Sequence, residues 1–498
     1  MNLATKERLW PPIDWLWQDY KQASAWYAGT PEELQKASTT IGDRFWKSGE
    51  NIKLHIPIAA DISALSAAMI FSESPSITCN HNRTSERISE IFDKSGVYSV
   101  LLQAAELASA FGGVFIKWSW DKDDGFPWLS AVPADSGLPE WRGGKIYKIT
   151  IWNIVREDTE TTGAIWRLEE EYTSDGHIIS RLLKGDQNNL GAYYPLTAIP
   201  ETSGIKEDAN SGTNCMLAFY VPNILPNRKA PHLRFGRSDY DGIYGMFDAL
   251  DEVYSSIQRE TRLTKTTTIV PAEYLRKRDM LFGSENGYSK ESQWVFCNDS
   301  GVFTALDIDS GRTASPVTTI NPEIRAEQRI ALCEDLVRRT LSMAGYAPQS
   351  AGLDITGSAE SGTALTVRER KTLRTTESKK THWWHALHDI IRAMLKLDSA
   401  VFHSGVDANA EISIEMPKNT QPDIAQLAQT VEELERAGAA SVETKVEILH
   451  PDWSDEQKAE EVARIKAERG LSGPDPLDPS LGDMENGPNE PEEDDDTK

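Results

Sequence analysis

Two long segments with helical periodicity, separated by a short segment of β-forming residues, constrain the fold more strongly than any other feature. In the first, Ser238 can cap the first helical amides and Asp241 stands three residues later, as in a capping box. One face of this segment is apolar and carries Tyr240, Ile243, Tyr244, Phe247, Leu250, Tyr254 and Ile257. We predict a helix over residues 238–264, about 39 Å long.

The second long segment with helical periodicity follows the β-forming residues. Asn321 can cap the start of a helix, and Pro322 suits the first helical position. Gly345 can end the helix. This pattern predicts a helix over residues 321–345, about 35 Å long. Residues 265–320 between the two helices contain short β-like runs and turn signals, so we predict that the helices bracket a small β-rich module.

The rest of the chain mixes the two periodicities. Helical spacing predicts helices over residues 13–27, 56–71 and 98–111, the last ending at Gly112. Alternating β-branched and aromatic residues predict strands at 114–120, 145–152, 164–172 and 177–183. This mixture predicts an α+β fold.

The C-terminal third continues with helices. A loop with Pro348 and Gly352 follows the second long helix, and a further long helix then reaches Leu397. A strand is expected from Glu411, and helices are expected over residues 422–437 and 441–468, with breaks near Gly438 and again at Pro451.

The charge of the chain is strongly negative, and part of it is local. The net charge is -25 over 498 residues, and residues 471–498 contribute -9 through ten acids and one lysine. We expect this Pro- and Gly-rich tail to be disordered. The remaining -16 argues against binding of nucleic acid through clustered lysines and arginines.

Neither a membrane span nor an oxidising compartment is indicated. The most apolar segment, residues 56–71, contains Asp61 and is shorter than the roughly 20 residues that a span needs. No apolar run follows the charges at the start, as a secretory signal would require. The four cysteines are too far apart for a zinc or redox motif, which is typical of a reducing compartment.

A basic stretch in the third long helix contrasts with the acidic chain. Residues 368–382 carry two glutamates and six basic residues, Arg368, Arg370, Lys371, Arg374, Lys379 and Lys380. The net charge of +4 favours contact with an acidic surface of another copy of the chain. Two alternatives stay open, a solvated face and direct contact with nucleic acid.

Tests for chemistry find no motif. The chain lacks a phosphate-binding loop and a Gly-x-Ser-x-Gly nucleophile turn, so we predict no enzyme activity and no cofactor. His382, His385 and His388 are spaced by three, but they lack the glutamate of a zincin motif. We predict no metal site, and a metal-dependent hydrolase that uses these histidines is the less favoured alternative.

Five segments in one order resemble portal proteins of tailed bacteriophages, in particular those of Gram-positive siphophages. They cover most of the chain up to Gly470 and lie at residues 54–77, 101–121, 236–257, 360–372 and 437–457. The third reads GRSDYDGIYGMFDALDEVYSSI and the fourth ESGTALTVRERKT.

The resemblance implies a ring, usually of twelve copies, at one vertex of the capsid, through which double-stranded DNA is packaged and later ejected without sequence specificity. The implied parts are a wing (1–237 and 361–421), stem helices (238–264 and 321–345), a clip (265–320), a tunnel loop (346–360) and a crown (422–470). The tunnel-loop candidates are Gln349, Ser350, Asp354 and Thr356.

The implied partners are other proteins of the phage particle. They are the terminase large subunit, a head-completion or adaptor protein at the clip, and the major capsid and scaffolding proteins. No membrane is involved, and the protein is expected in the virion and, during assembly, in the host cytoplasm. The alternative in the same class is a ring-forming capsid-associated protein without a DNA channel.

The resemblance suggests a role for the acidic charge of the chain. Asp241, Asp248 and Glu252 on the first stem helix are candidates to face the channel and weakly repel the duplex, because contacts with lysine or arginine would hold it. The alternative is that these acids face solvent and keep the protein soluble.

Overall fold

The computed structural model describes residues 14–30, 34, 54–121, 123–158, 163–186, 189–263, 267–271, 276–284, 287–295, 303–306, 318–320, 326–353, 362–417, 424–450 and 453–468. These residues form two compact units, Met1–Asn419 and Thr420–Lys498. The predicted acidic tail, residues 471–498, lies outside the described residues.

In the described residues, the first helices of the first unit are α1 (Asp14–Ala28), α2 (Ile58–Ile70), α3 (Asn82–Lys94) and α4 (Val97–Phe111). Helix α4 ends as predicted at Gly112, which has a left-handed φ of 80°. A Cβ atom on Gly112 would lie 2.8 Å from the backbone of Arg237, so only glycine lets these two segments approach.

Two antiparallel sheets follow. The first has the order β10 (Ala218–Pro222), β2 (Gly113–Trp120), β3 (Pro127–Pro133). The second is six-stranded and runs through β4 (Gly137–Arg142), β5 (Lys145–Asp158), β6 (Ala164–Thr173), β7 (His177–Gly185) and β8 (Ala192–Tyr194), with β9 (Asp208–Asn210) beside β7. The predicted strands are confirmed, and β5 extends six residues beyond the predicted end at residue 152.

Three long helices complete the first unit, together with short strands. They are α5 (Tyr244–Leu263), α6 (Ala326–Ala344) and α7 (Gly362–Leu397). Between α5 and α6 lie β11 (Thr267–Pro271), β12 (Arg276–Ser284), β13 (Gly287–Val295), β14 (Phe303–Leu306) and β15 (Thr318–Ile320). In the described part of residues 265–320, short strands therefore lie between the two long helices. After α7, β16 (Ile412–Glu415) pairs with β1 (Ser76–Cys79).

The predicted start of the first long helix is wrong by six residues. The Ser238 hydroxyl does accept a hydrogen bond from the Tyr240 amide, at 3.0 Å. The turn does not continue into a helix, because Gly242 takes a left-handed φ of 82°. Helix α5 begins only at Tyr244. At the other end of the pair, α6 stops at Ala344 before Gly345, as predicted.

One large apolar core joins the helices to the first sheet. The indole of Trp118 on β2 is fully buried and donates a hydrogen bond to the Ile390 carbonyl on α7, at 2.9 Å. Trp383 of α7 packs edge-on against Phe71 at the end of α2. A smaller cluster around Trp166 and Leu182 lies on the six-stranded sheet. The long helix α7 is therefore part of the core.

The second unit is helical in the described residues. It contains α8 (Ile424–Arg436), α9 (Val442–Leu449) and α10 (Asp455–Glu468). Ser441 caps α9 by accepting a hydrogen bond from the Thr444 amide, at 3.3 Å. The predicted helices and the predicted break near Gly438, which has a φ of 60°, are confirmed.

Candidate functional site: the junction of the long helices

Helices α5 and α6 form an antiparallel pair that is buried at one end and exposed at the other. On α5, Leu250 is fully buried whereas Tyr254 is 45% exposed. On α6, Ile330 is 50% exposed and Leu341 is 3% exposed. Near the exposed end, Arg329 Nε of α6 lies 2.7 Å from Glu260 Oε2 of α5. The pair therefore leaves the core as a two-helix rod, held at its distal end by an ion pair.

A buried carboxylate lies at the root of this rod. Asp239, five residues before α5, is buried and forms hydrogen bonds with segments that are distant in the sequence of the first unit. Its oxygens accept hydrogen bonds from Ser109 Oγ (2.6 Å), Asn223 Nδ2 (2.9 Å), Tyr346 OH (3.0 Å) and Lys379 Nζ (2.5 Å). We call Asp239, Lys379, Tyr346 and the polar groups that bond them the junction.

Lys379 of α7 is the cation of the junction. Its ammonium donates to Ser66 Oγ of α2 (2.7 Å), to Asp239 Oδ2 (2.5 Å) and to Tyr346 OH (2.8 Å). These three acceptors match the three protons of an ammonium group. Burial lowers the pKa of Lys379, and the Asp239 carboxylate opposes this effect by favouring the charged form. The junction thus joins α2, α4 and α7 to the segments that precede α5 and follow α6.

The polar face of α7 is directed into the protein. Thr372, Thr376, Lys379 and Lys380 recur at helical spacing and are all buried. Lys380 donates to the Pro417 carbonyl at 2.5 Å. The prediction that Lys379 and Lys380 contact another copy is therefore wrong, because both ammonium groups bond partners inside the subunit.

The other predicted basic residues are placed differently. Lys371 is exposed and bonds Ser342 near the C-terminal end of α6, where a cation is favoured by the helix dipole. Arg370 and Arg374 are exposed on α7. The side chain of Arg368 lies outside the described residues.

The three predicted channel acids lie on or beside α5. Asp241 precedes the helix and is half-buried, Asp248 is half-buried, and Glu252 is exposed. Sequence reasoning missed Asp251, which is buried and accepts a hydrogen bond from the Ile56 amide (2.9 Å) and lies 2.8 Å from His55 Nδ1. The signal was its position one turn after Phe247, on the apolar face.

Of the predicted tunnel-loop residues, two are described. Gln349 and Ser350 lie in a single 3₁₀ turn, Pro348–Ala351. The Ser350 hydroxyl is 2.9 Å from Thr372 Oγ1 of α7. Asp354 and Thr356 lie outside the described residues.

The three histidines of α7 do not form a metal centre. His385 and His388 pack edge-on against the Trp384 ring, at centroid distances of 5.0 and 4.6 Å. Burial lowers the pKa of His382 and of His388, and His385 adds to this effect at both. At His388 the nearby Arg392 also lowers the pKa, whereas Asp389 opposes it. Across the described ranges, no group of three His, Cys, Asp or Glu side chains could hold a metal ion. No described helix is long and apolar enough to cross a membrane.

Comparison with known protein families identifies the class of protein to which this chain belongs. It is a structural protein of bacteriophage particles, since a family model of that class matches residues 17–472. That model describes phage portal proteins, SPP1 Gp6-like, and the match covers most of the 498 residues, so the chain belongs to this family. The resemblance stated from the sequence is thereby confirmed. No individual curated protein matches the chain.

Proposed function

We propose that the chain assembles into a ring of twelve copies at one vertex of a phage capsid and conducts double-stranded DNA during packaging and ejection. The observation that supports this proposal is the two-helix rod, buried at its root and exposed distally, with a β-rich module between its helices. A ring of such rods would line a channel, and family membership supplies the phage context.

The parts follow the order of the chain. Helices α5 and α6 are the stem, β11 to β15 are the clip, residues 346–360 are the tunnel loop, α8 to α10 are the crown, and residues 1–237 and 361–421 are the wing. The clip would dock the head-completion or adaptor protein. The terminase large subunit and the major capsid and scaffolding proteins would bind elsewhere on the ring, first in the host cytoplasm and then in the virion.

Negative charge on the stem helices suits a channel through which double-stranded DNA must slide. Asp248 is half-buried and Glu252 is exposed on α5, and lysines or arginines there would add affinity for phosphate through counterion release. Replacing both with lysine should slow or stall packaging in particles that assemble normally. Equal packaging by the Asp248→Lys/Glu252→Lys particles would show that these acids do not face the DNA.

Exposed basic side chains on α7 are candidates for contact between subunits. Arg370 and Arg374 are exposed, and the acidic surface of a neighbouring copy is their expected partner. Arg368 belongs to the same candidate set by its position in the sequence.

Electron microscopy of the purified full-length chain tests the ring. The expected result is annular particles with an axial hole and about twelvefold symmetry, of a mass that sedimentation can check. A disc-shaped oligomer without an axial hole would favour a capsid-associated protein without a channel. A monomer, both at high concentration and in assembled heads, would exclude the proposed function.

A further inference from the structure

A polar clasp on α7 holds the segment that follows α6. Four α7 residues contribute to it, namely Lys371, Thr372, Thr375 and Lys379, and they contact residues 342–350. These α7 residues lie within about two turns of one helix, so a single rigid element presents all of them. We use the name clasp for these four residues and the segment they hold.

The contacts of the clasp follow one another along the segment. Lys371 bonds the Ser342 carbonyl, and Thr375 Oγ1 donates to the Gly345 carbonyl at 2.9 Å. Lys379 donates to Tyr346 OH, as described for the junction. Thr372 Oγ1 accepts the Ala347 amide at 2.8 Å and lies 2.9 Å from the Ser350 hydroxyl.

Gly345 allows the segment to come this close to α7. Its φ is 104°, a backbone conformation that other residues rarely adopt. A Cβ atom at this position would lie 2.9 Å from Thr375 Oγ1. The path of the chain after α6 is therefore fitted to the polar face of α7.

The clasp extends into the first residues of the predicted tunnel loop. Residues 346–353 are the described part of that loop, and Ala347 and Ser350 within it are bonded by Thr372. We propose that Thr372 is a positioning residue, which fixes the described start of the loop against α7, and that this contact supports the passage of DNA through the channel. The last step rests on the proposed function, whereas the clasp itself does not.

The same helix provides a matched control for Thr372. Thr376 lies one turn further along α7 and is equally buried, at 1% exposure for both residues. Its hydroxyl has no hydrogen-bond partner among the described residues. Replacing either threonine with valine removes one buried hydroxyl and keeps the shape of the side chain, but only Thr372→Val breaks the clasp.

Hydrogen exchange on the full-length protein tests the clasp directly. In Thr372→Val the Ala347 amide should exchange about tenfold faster than in the wild type, because its acceptor is lost. Thr372→Ser, which keeps the hydroxyl, should retain the protection, and Thr376→Val should exchange like the wild type. If Thr372→Val and Thr376→Val exchange alike at Ala347, the clasp is overturned. The melting temperatures of the three variants confirm that each one folds.

Packaging tests the role of the clasp in the channel. A phage without its own portal gene, supplied with Thr372→Val, should yield several-fold fewer DNA-filled heads than with Thr376→Val or Thr372→Ser. Equal yields for all three would overturn the positioning role even if the exchange result holds. Failure of the wild-type chain to form rings would instead contradict the proposed function, and the exchange result would still decide the clasp.

Discussion

Two lysine–carboxylate pairs, one in each unit of the chain, have the same separation and opposite surroundings. Lys379 Nζ lies 2.5 Å from Asp239 Oδ2, and their side chains are 1% and 0% exposed. Lys466 Nζ also lies 2.5 Å from Glu443 Oε1, but these side chains are 40% and 55% exposed. Distance alone therefore does not indicate how much the fold depends on a charge pair.

The solvent around each pair explains the difference. At the surface, water and salt screen the charges, and a pair of this kind contributes little to the free energy of unfolding. In the core, both charges have lost their hydration, and the pair persists because further hydrogen bonds satisfy the remaining protons and lone pairs. In the Lys379 pair, the ammonium also donates to Ser66 and Tyr346, and Ser109 donates to the carboxylate. The main effect of the pair is therefore to fix the relative positions of the helices.

The largest expected effect comes from removing the buried cation. Lys379→Met leaves the Asp239 carboxylate buried without a counter-charge, which should lower the free energy of unfolding of the first unit by about 3–5 kcal/mol. Chemical denaturation of the full-length protein, followed by the fluorescence of the buried tryptophans, measures this change. A loss below about 1 kcal/mol would show that the pair is not desolvated as the structure indicates.

Removing both charges provides the control for this variant. Asp239→Asn/Lys379→Met has no buried charge at the junction, so it should recover a large part of the stability that Lys379→Met loses. The control also needs the loss of unfolding free energy in Asp239→Asn alone. If the loss in the double variant equals the sum of the losses in the two single variants, the two side chains do not interact, which would contradict the 2.5 Å contact.

The helix that carries Lys379 was predictable, but its buried polar face was not. Helical spacing places α7 correctly up to Leu397, because that pattern is local. The partners of Lys379 are distant in sequence, 140 residues away for Asp239 and 33 for Tyr346. Polar residues at Thr372, Thr376 and Lys379 share one face, yet such a face normally points to solvent. Only the tertiary fold reveals that it is covered.

The start of α5 shows a different limit of sequence reasoning. Ser238 and Asp241 matched a capping pattern, and Ser238 does cap a turn. Gly242 was the residue that separated this turn from the helix, and glycine alone does not reveal which sign of φ it adopts. The sequence therefore predicted the root of the rod to within two turns, and left the buried role of Asp239 unrecognised.

The smallest expected effect comes from the same substitution at the surface pair. The hydrogen bond from Lys466 lowers the pKa of Glu443 to about 2, below its ordinary value of 4.5. A carboxyl group with a lowered folded-state pKa contributes stability above pH 4.5 and loses it as the pH falls towards 2. In Lys466→Met the pKa of Glu443, followed by NMR, should rise towards 4.5, as it should for the wild type in high salt.

The melting temperature of Lys466→Met at pH 7 should differ from that of the wild type by less than about 2 °C, because solvent already screens the exposed pair. A loss of stability comparable to that of Lys379→Met would contradict the conclusion that burial separates the two pairs.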